Sequence, residues 1–363
     1  MARTETDTVP TRYLGERSAP KPGPFPARPQ PAPPKPASGY SPFALDAEPR
    51  NFGLTTSSMR VKGGSIVVRH GRRGAGDTAT ILLHGAAGSW TTWTPLLQAA
   101  DASQSPLADL IIPDLPGWGD SPLPDDRSSL SVESMAALVA DTARALGYTR
   151  WNVIGHSMGG FIALELAARE TQSTISVGLV SATSYSIQAS ARNPIRNFAL
   201  LPAFTLLLAT MRLLRLAGPV GSSLVQAVAR RGLLRTLVSP LFSEPRNIHA
   251  TVVRALGIEV RPHGFVLAAE RAGLYDSAAH WAKIGCPVRA VHGNHDVFVT
   301  PADDERLRAA VPQCVISTIS GAGHFGQVER PFDVLQRLEL PNFASGGVAA
   351  APHTLTGTPP HTF

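Results

Sequence analysis

Lysine is nearly absent from this chain. It stands only at positions 21, 35, 62 and 283, against 29 arginines. With the abundant Ala, Gly and Pro, that bias reads as coding bias in a GC-rich genome and carries no mechanism. Cysteine is as scarce, at Cys286 and Cys314 alone. Two thiols build no disulfide framework. Each opens or sits in a strand-like run, so buried free thiols and a cytoplasmic location are expected. Long apolar runs are missing too. The longest charge-free part of the apolar middle region, Asn197 to Met211, falls short of the ~20 residues of a membrane span and contains Pro202. No basic segment followed by an apolar one opens the chain, so no secretory signal is expected. His292-Gly-Asn-His295 has metal-ligand spacing, but no thiolate or further His lies near it in sequence. Neither a metal nor an organic cofactor is expected.

What is present points to a globular enzyme-sized chain. With 363 residues, 43% hydrophobic and 17% charged, it is long enough for one large domain plus an insertion. The first 50 residues hold 12 of the 32 prolines and read as a disordered Pro-rich tail over 1–50. Residues 344–363 read as a second flexible tail. Between them, short apolar runs alternate with helical periodicity. Strands are expected at Val61 to His70, Thr78 to Leu83, Leu107 to Ile112, up to Ile154, Ile175 to Val180, Val288 to Val291 and Val315 to Ile319. Helices are expected at Trp93 to Ala100, Leu130 to Leu146 (capped by Ser131), from the serine turn to Glu170, Pro301 to Ala310 and Pro331 to Leu340. This alternation predicts an α/β fold with a doubly wound, mostly parallel sheet.

The interval 183–280 breaks the alternation and reads as an inserted helical lid between core segments 51–182 and 281–343. From Tyr185 to Arg261 it carries ten Arg against Glu244 and Glu259, a charge of +8 beside +6 for the whole chain. The arginines are expected to solvate the outer face of helices whose other face covers a pocket. A weak contact with an anionic membrane surface is the alternative. No nucleic-acid partner is expected, and the oligomeric state is not legible.

The strongest chemical signal is Gly155-His-Ser157-Met-Gly159, directly after the apolar run Trp151 to Ile154 and directly before a helix-like stretch. A serine there sits on a sharp turn between a buried strand and a helix N-terminus. Its hydroxyl is exposed, and the helix end offers donors and positive potential to a developing oxyanion. A serine hydroxyl needs a base, and the base needs a carboxylate to orient it. Downstream, Gly293-Asn-His-Asp296 and Gly321-Ala-Gly-His324 each follow a strand. The order serine, acid, histidine is the one expected for a serine on such a turn, at the strand ends where open α/β sheets bind ligands.

Several motifs occur together in one order: His84-Gly85; Asp114, Gly117, Gly119 and Ser121; the Ser157 turn; Gly293 to Asp296; and His324, Glu329 and Pro331. In these the chain resembles the lid-bearing α/β-hydrolase-fold serine hydrolases over roughly Val61 to Leu340. The resemblance implies Ser157 as nucleophile, His324 as base and Asp296 as its carboxylate. It implies the backbone N–H groups of Ala86 and Met158 as oxyanion donors. Trp90 and Phe161, with Met158, are candidates for the walls of a substrate pocket. Asp114 is expected to hold its Gly-rich loop, His84 and His156 to orient or pack, and Asp303 and Asp304 to sit early in a helix. Ser157 argues against the haloalkane dehalogenases and most epoxide hydrolases of this fold, which carry Asp as nucleophile. Hydrolysis of a carboxylic ester or related acyl compound is the reaction left, with a small hydrophobic acyl substrate whose acyl and leaving groups the sequence does not name. Carbon–carbon bond hydrolysis, acyl transfer and non-catalytic ligand binding stay open.

Overall fold

The computed structural model describes residues 39–339, apart from 219, 222 and 224–233. The stretch 1–38 and the stretch 340–363, which hold most of both expected tails, lie outside the described residues. Residues 40–50 correct the tail boundary, because they are packed. Tyr40 donates to Glu329 at 2.8 Å, and the Phe43 ring meets Phe332 with centroids 5.8 Å apart. Tyr40, Phe43 and Leu45 supply the apolar bulk that the Pro-rich stretch lacks.

The strands are β1 (Leu54–Val61), β2 (Gly64–Gly71), β3 (Thr78–Leu83), β4 (Leu110–Asp114), β5 (Arg150–His156), β6 (Thr174–Val180), β7 (Val288–Gly293) and β8 (Cys314–Ile319). They form one eight-stranded sheet in the order β1-β2-β4-β3-β5-β6-β7-β8. Pairing is antiparallel from β1 to β4 and parallel from there to β8. The expected strand Val61 to His70 is two strands, with a tight turn after Val61. β1 escapes a hydrophobicity reading because it is an edge strand of Thr and Ser with one face in water.

The core helices are α1 (Thr94–Ala102), α2 (Val132–Ala145) and α3 (Met158–Arg169). Between β6 and β7 the chain runs through α4 (Tyr185–Arg192), α5 (Pro202–Leu216), α6 (Leu234–Val238), α7 (Ala250–Glu259), α8 (Pro262–Leu274) and α9 (Ser277–Trp281). Then follow α10 (Pro301–Ala310), α11 (Gly326–Glu329) and α12 (Pro331–Leu338). Ser131 caps α2, and Thr300 with Asp303 forms a capping box on α10.

Central strands are buried on both faces, so neighbouring residues serve opposite layers. Ile81, Leu83, Ile111 and Val153 pack with α2, α3 and α10. Leu82, Leu110, Ile112 and Ile154 pack with α1 and α12. The helices between β6 and β7 bring an apolar cluster of their own, with Phe204, Leu208, Met211 and Val266. Cys286 and Cys314 are free thiols, and burial pushes the Cys314 thiol up to about 12.

Candidate active site

Ser157 stands between the last residue of β5 and the first of α3, with φ 51° and ψ −117°. That left-handed conformation is costly for a residue with a Cβ, and the surroundings over-determine it. Its N–H donates to Val180 (3.1 Å), and its carbonyl accepts from Gly160 (3.0 Å) and Thr183 (3.3 Å). The turn closes only because its flanks are small. A Cβ on Gly155 would lie 2.3 Å from the Gly159 carbonyl oxygen, and one on Gly159 2.2 Å from that of Leu83.

Three loops at the C-terminal edge of the sheet meet here. The Ser157 Oγ lies 3.0 Å from His324 Nε2. His324 Nδ1 lies 3.0 and 3.2 Å from the two Asp296 carboxylate oxygens. A carboxylate only accepts, so Nδ1 carries the proton and Nε2 is left as acceptor for the serine hydroxyl. The Asp296 side chain is 1% exposed. Burial alone would raise its pKa, but the His324 charge and hydrogen bond, with the Phe298 N–H and the Ser181 hydroxyl, outweigh burial. Its carboxyl is therefore held below the usual range.

The His324 loop is pinned from several sides. Its own N–H donates to Leu241 O (2.8 Å), and its carbonyl accepts from His156 Nε2 (2.9 Å). Glu329 is fully buried and accepts from Gly323 (2.9 Å) and Phe325 (3.2 Å) N–H, from Tyr40 (2.8 Å) and from Ser243 N–H (2.9 Å). The Phe298 ring stands edge-on to the His324 ring at 4.7 Å. His156 is buried and its pKa falls to about 3, through burial first and the neighbouring His324 second. His84, also lowered by burial, accepts from Leu115 N–H (2.9 Å) through Nε2. Both histidines act as buried neutral braces, one for the His324 backbone and one for the loop after β4.

Among the described residues, the N–H groups of Ala86 and Met158 meet no acceptor. Met158 opens α3, whose first N–H groups have no partner within the helix. Both residues line a cavity of about 650 Å³ together with Ser157 and His324. The remaining wall is apolar and comes largely from the β6–β7 insertion: Phe204, Leu207, Met211, Leu214, Leu241 and Phe265. Among the described residues, Arg261 is the one Arg, Lys, Asp or Glu that lines the cavity. It already donates to Gly117 O (3.1 Å) and Gly119 O (2.7 Å) and pairs with Glu259 at 3.2 Å.

The structure corrects one pocket candidate. Trp90 does not reach the cavity. It is buried against Phe52 at 6.4 Å, below the Arg69 guanidinium, and its N–H donates to Asp114 (2.9 Å). Phe161 both lines the cavity and packs edge-on against Tyr275 and Trp281, each at 5.2 Å. Asp114 holds its loop through Trp90 and Asp120 N–H groups and an ion pair with Arg69. Asp303 does more than open α10, because it also accepts from Ser184 (2.7 Å) and Ser186 (2.8 Å) and ties α4 to α10. His292 is taken up by Asp304 at 3.1 Å, a contact that raises its pKa. Sequence reading missed Phe298 and Leu241. Phe298, two residues after Asp296, was within reach of it; the Leu241 carbonyl had no signal at all.

Comparisons with known proteins point to one family. Residues 80–337 match the model of the alpha/beta hydrolase family. A dihydrolipoyllysine-residue acetyltransferase component of an acetoin cleaving system from Cupriavidus necator is 27% identical over 280 residues, 74% of this chain. The match spans 64% of that relative's length. A 2-hydroxy-6-oxononadienedioate/2-hydroxy-6-oxononatrienedioate hydrolase from Burkholderia vietnamiensis is 34% identical over 108 residues, 29% of this chain and 36% of its own. A solved putative lipase from Acinetobacter baumannii superposes with TM-score 0.60 at 22% identity, covering 80% of this chain and 91% of its own. The chain belongs to the alpha/beta hydrolase family.

Proposed function

We propose that the chain is a serine hydrolase that cleaves a carboxylic ester, or a related acyl compound, of hydrophobic character. The observation that carries this is the Ser157–His324–Asp296 hydrogen-bond chain at the wall of an apolar cavity, beside two free N–H groups. Ser157 Oγ attacks the acyl carbonyl while His324 Nε2 takes its proton. The Ala86 and Met158 N–H groups receive the oxyanion, and the α3 N-terminus adds positive potential. His324 then gives the proton to the leaving alkoxide, and the acyl group stays on Ser157. Water, deprotonated by His324, attacks that ester; His324 returns the proton to the departing Ser157 Oγ, and the acid leaves. Asp296 keeps the imidazole in the productive tautomer and stabilises its cation. The β6–β7 insertion acts as the lid: its leucine and phenylalanine side chains exclude water and grip an alkyl chain, with few polar contacts.

Acyl transfer is the second reading. A water-poor cavity favours an alcohol or amine over water as acceptor, and the acetyltransferase relative performs transfer by name.

The test is labelling with a fluorophosphonate, wild type beside Ser157→Ala, with the modified peptide located by mass spectrometry. Labelling at Ser157, lost in the variant, is expected. A folded wild type that does not label sinks the proposal. Adding an alcohol acceptor to the ester assay separates transfer from hydrolysis.

A further inference from the structure

The outer face of α5 is not the solvated face its arginines suggested. Phe204, Leu208 and Met211 point inward. The opposite stripe exposes Leu206 (59%), Ala209, Leu213 (68%) and Leu216 (81%). These positions recur at three and four residues, so they form one side of the helix. No charge interrupts the stripe; Arg212 borders it on one side, while Arg215 lies further round the helix and pairs with Glu270 at 3.7 Å. The segment just before α5 exposes Ile195, Phe198 and Leu200 as well.

Two observations say what covers this face. The first is continuity with the cavity: Leu206 and Leu237 are both exposed and both line it. The mouth therefore opens through the apolar patch. The second is charge. The stretch Tyr185 to Arg261 is +8, and Arg196, Arg212, Arg246 and Arg254 form no ion pair among the described residues. An apolar stripe bordered by the unpaired Arg212 guanidinium, in a segment of net positive charge, fits the boundary between acyl chains and anionic headgroups. Among the described residues no helix is long and apolar enough to cross a membrane.

We propose that the α5 face docks on an anionic lipid bilayer and sets the cavity mouth against it. An acyl chain then passes from the bilayer to Ser157 without crossing bulk water. The docking does not depend on the reaction, so it is measured on the full chain carrying Ser157→Ala.

The experiment is co-sedimentation with vesicles of phosphatidylcholine alone or mixed equally with phosphatidylglycerol. Partition onto the mixed vesicles should exceed that onto phosphatidylcholine by about tenfold or more, and should fall as NaCl rises from about 0.05 to about 0.5 M. Leu213→Glu with Leu216→Glu should lower it by about tenfold or more. Neither residue lines the cavity, so the same pair of changes, made with Ser157 intact, should leave turnover of a soluble short-chain ester unchanged. Circular dichroism checks the fold, and Arg212→Glu gives a second, independent loss. Absent binding by wild type, or undiminished binding by the double variant, overturns the proposal. So does a wild-type dimer in light scattering that the double variant dissociates, which would make a second copy the occupant.

Discussion

Twelve large apolar side chains stand exposed among the described residues, and ten of them belong to the insertion between β6 and β7. The rest of the fold exposes only Leu123 and Val315. The polar side chains of the candidate site divide the other way. Ser157, Asp296 and His324 sit at the ends of the sheet's own strands and Glu329 in the short helix α11, tied by hydrogen bonds. The insertion gives the site largely apolar walls and a few backbone contacts: Leu241 O accepts from the His324 N–H, and the Thr183 and Ser243 N–H groups donate to Ser157 O and Glu329. The difference separates two tasks. Bond-making chemistry needs sub-ångström placement, and a close-packed core supplies it. Gripping an alkyl chain needs only apolar surface of fitting shape, which mobile or variable helices supply equally well.

If that division holds, changes in the core should damage rate and changes in the insertion should alter choice of substrate. The largest effect is expected for Asp296→Asn. The amide favours the wrong imidazole tautomer, so kcat should drop about 10⁴-fold with little change in fold; ester kinetics beside a thermal melt check it. An activity within a few-fold of wild type would remove Asp296 from the proposed role.

Next comes Glu329→Gln. The amide turns an NH₂ group towards N–H and O–H donors that now point at a carboxylate, inside a fully buried site. A loss of about 2–4 kcal/mol in urea unfolding is expected, with a fall in kcat as the His324 loop loosens. Unchanged stability would mean the loop is held by its other contacts.

Met211→Trp, in the insertion wall, should act on selectivity alone. Narrowing the cavity should shift the ratio of kcat/KM for long against short acyl esters by about ten-fold, since apolar pockets discriminate by about 1–3 kcal/mol. A uniform loss on all chain lengths would blur the division between core and insertion.

The last effect is a pH slope, on stability and not on rate. His156 is neutral in the fold down to about pH 3, while in the unfolded chain it protonates near its ordinary 6.5. The unfolded state binds more protons in that window, so stability falls as pH drops from 6.5 towards 3. His156→Gln keeps a donor for the His324 carbonyl and removes the titration. The difference in melting temperature between about pH 4 and about pH 7 should shrink in this variant. An unchanged difference would assign the acid sensitivity to other groups.

Much of this was legible before any coordinates. Short apolar runs alternating with helical periodicity place β3 to β8 and their helices, because burial on both faces leaves little freedom in composition. Helix α10 begins and ends where Pro301 and Ala310 suggested, since its cap residues are local signals. The edge hairpin was less legible: β1 keeps its polar face in water and so lacks the apolar signature. Trp90 shows the same limit. An aromatic residue near a motif can face the pocket or the opposite layer, and periodicity does not say which.

The sequence alone determined the order of the chemistry: a serine on a glycine-flanked turn, then an acid, then a histidine, each at a strand end. Those assignments are local, since turn sterics and strand ends are written in a few adjacent residues. Only the tertiary structure decided that Ser157, Asp296 and His324 come within hydrogen-bonding distance, that Glu329 braces the histidine loop, and which insertion side chains wall the cavity. It also put an apolar stripe on the outside of α5. The reason is physical. A helix that is apolar on nearly every side does not disclose its buried face, which is chosen by what packs against it.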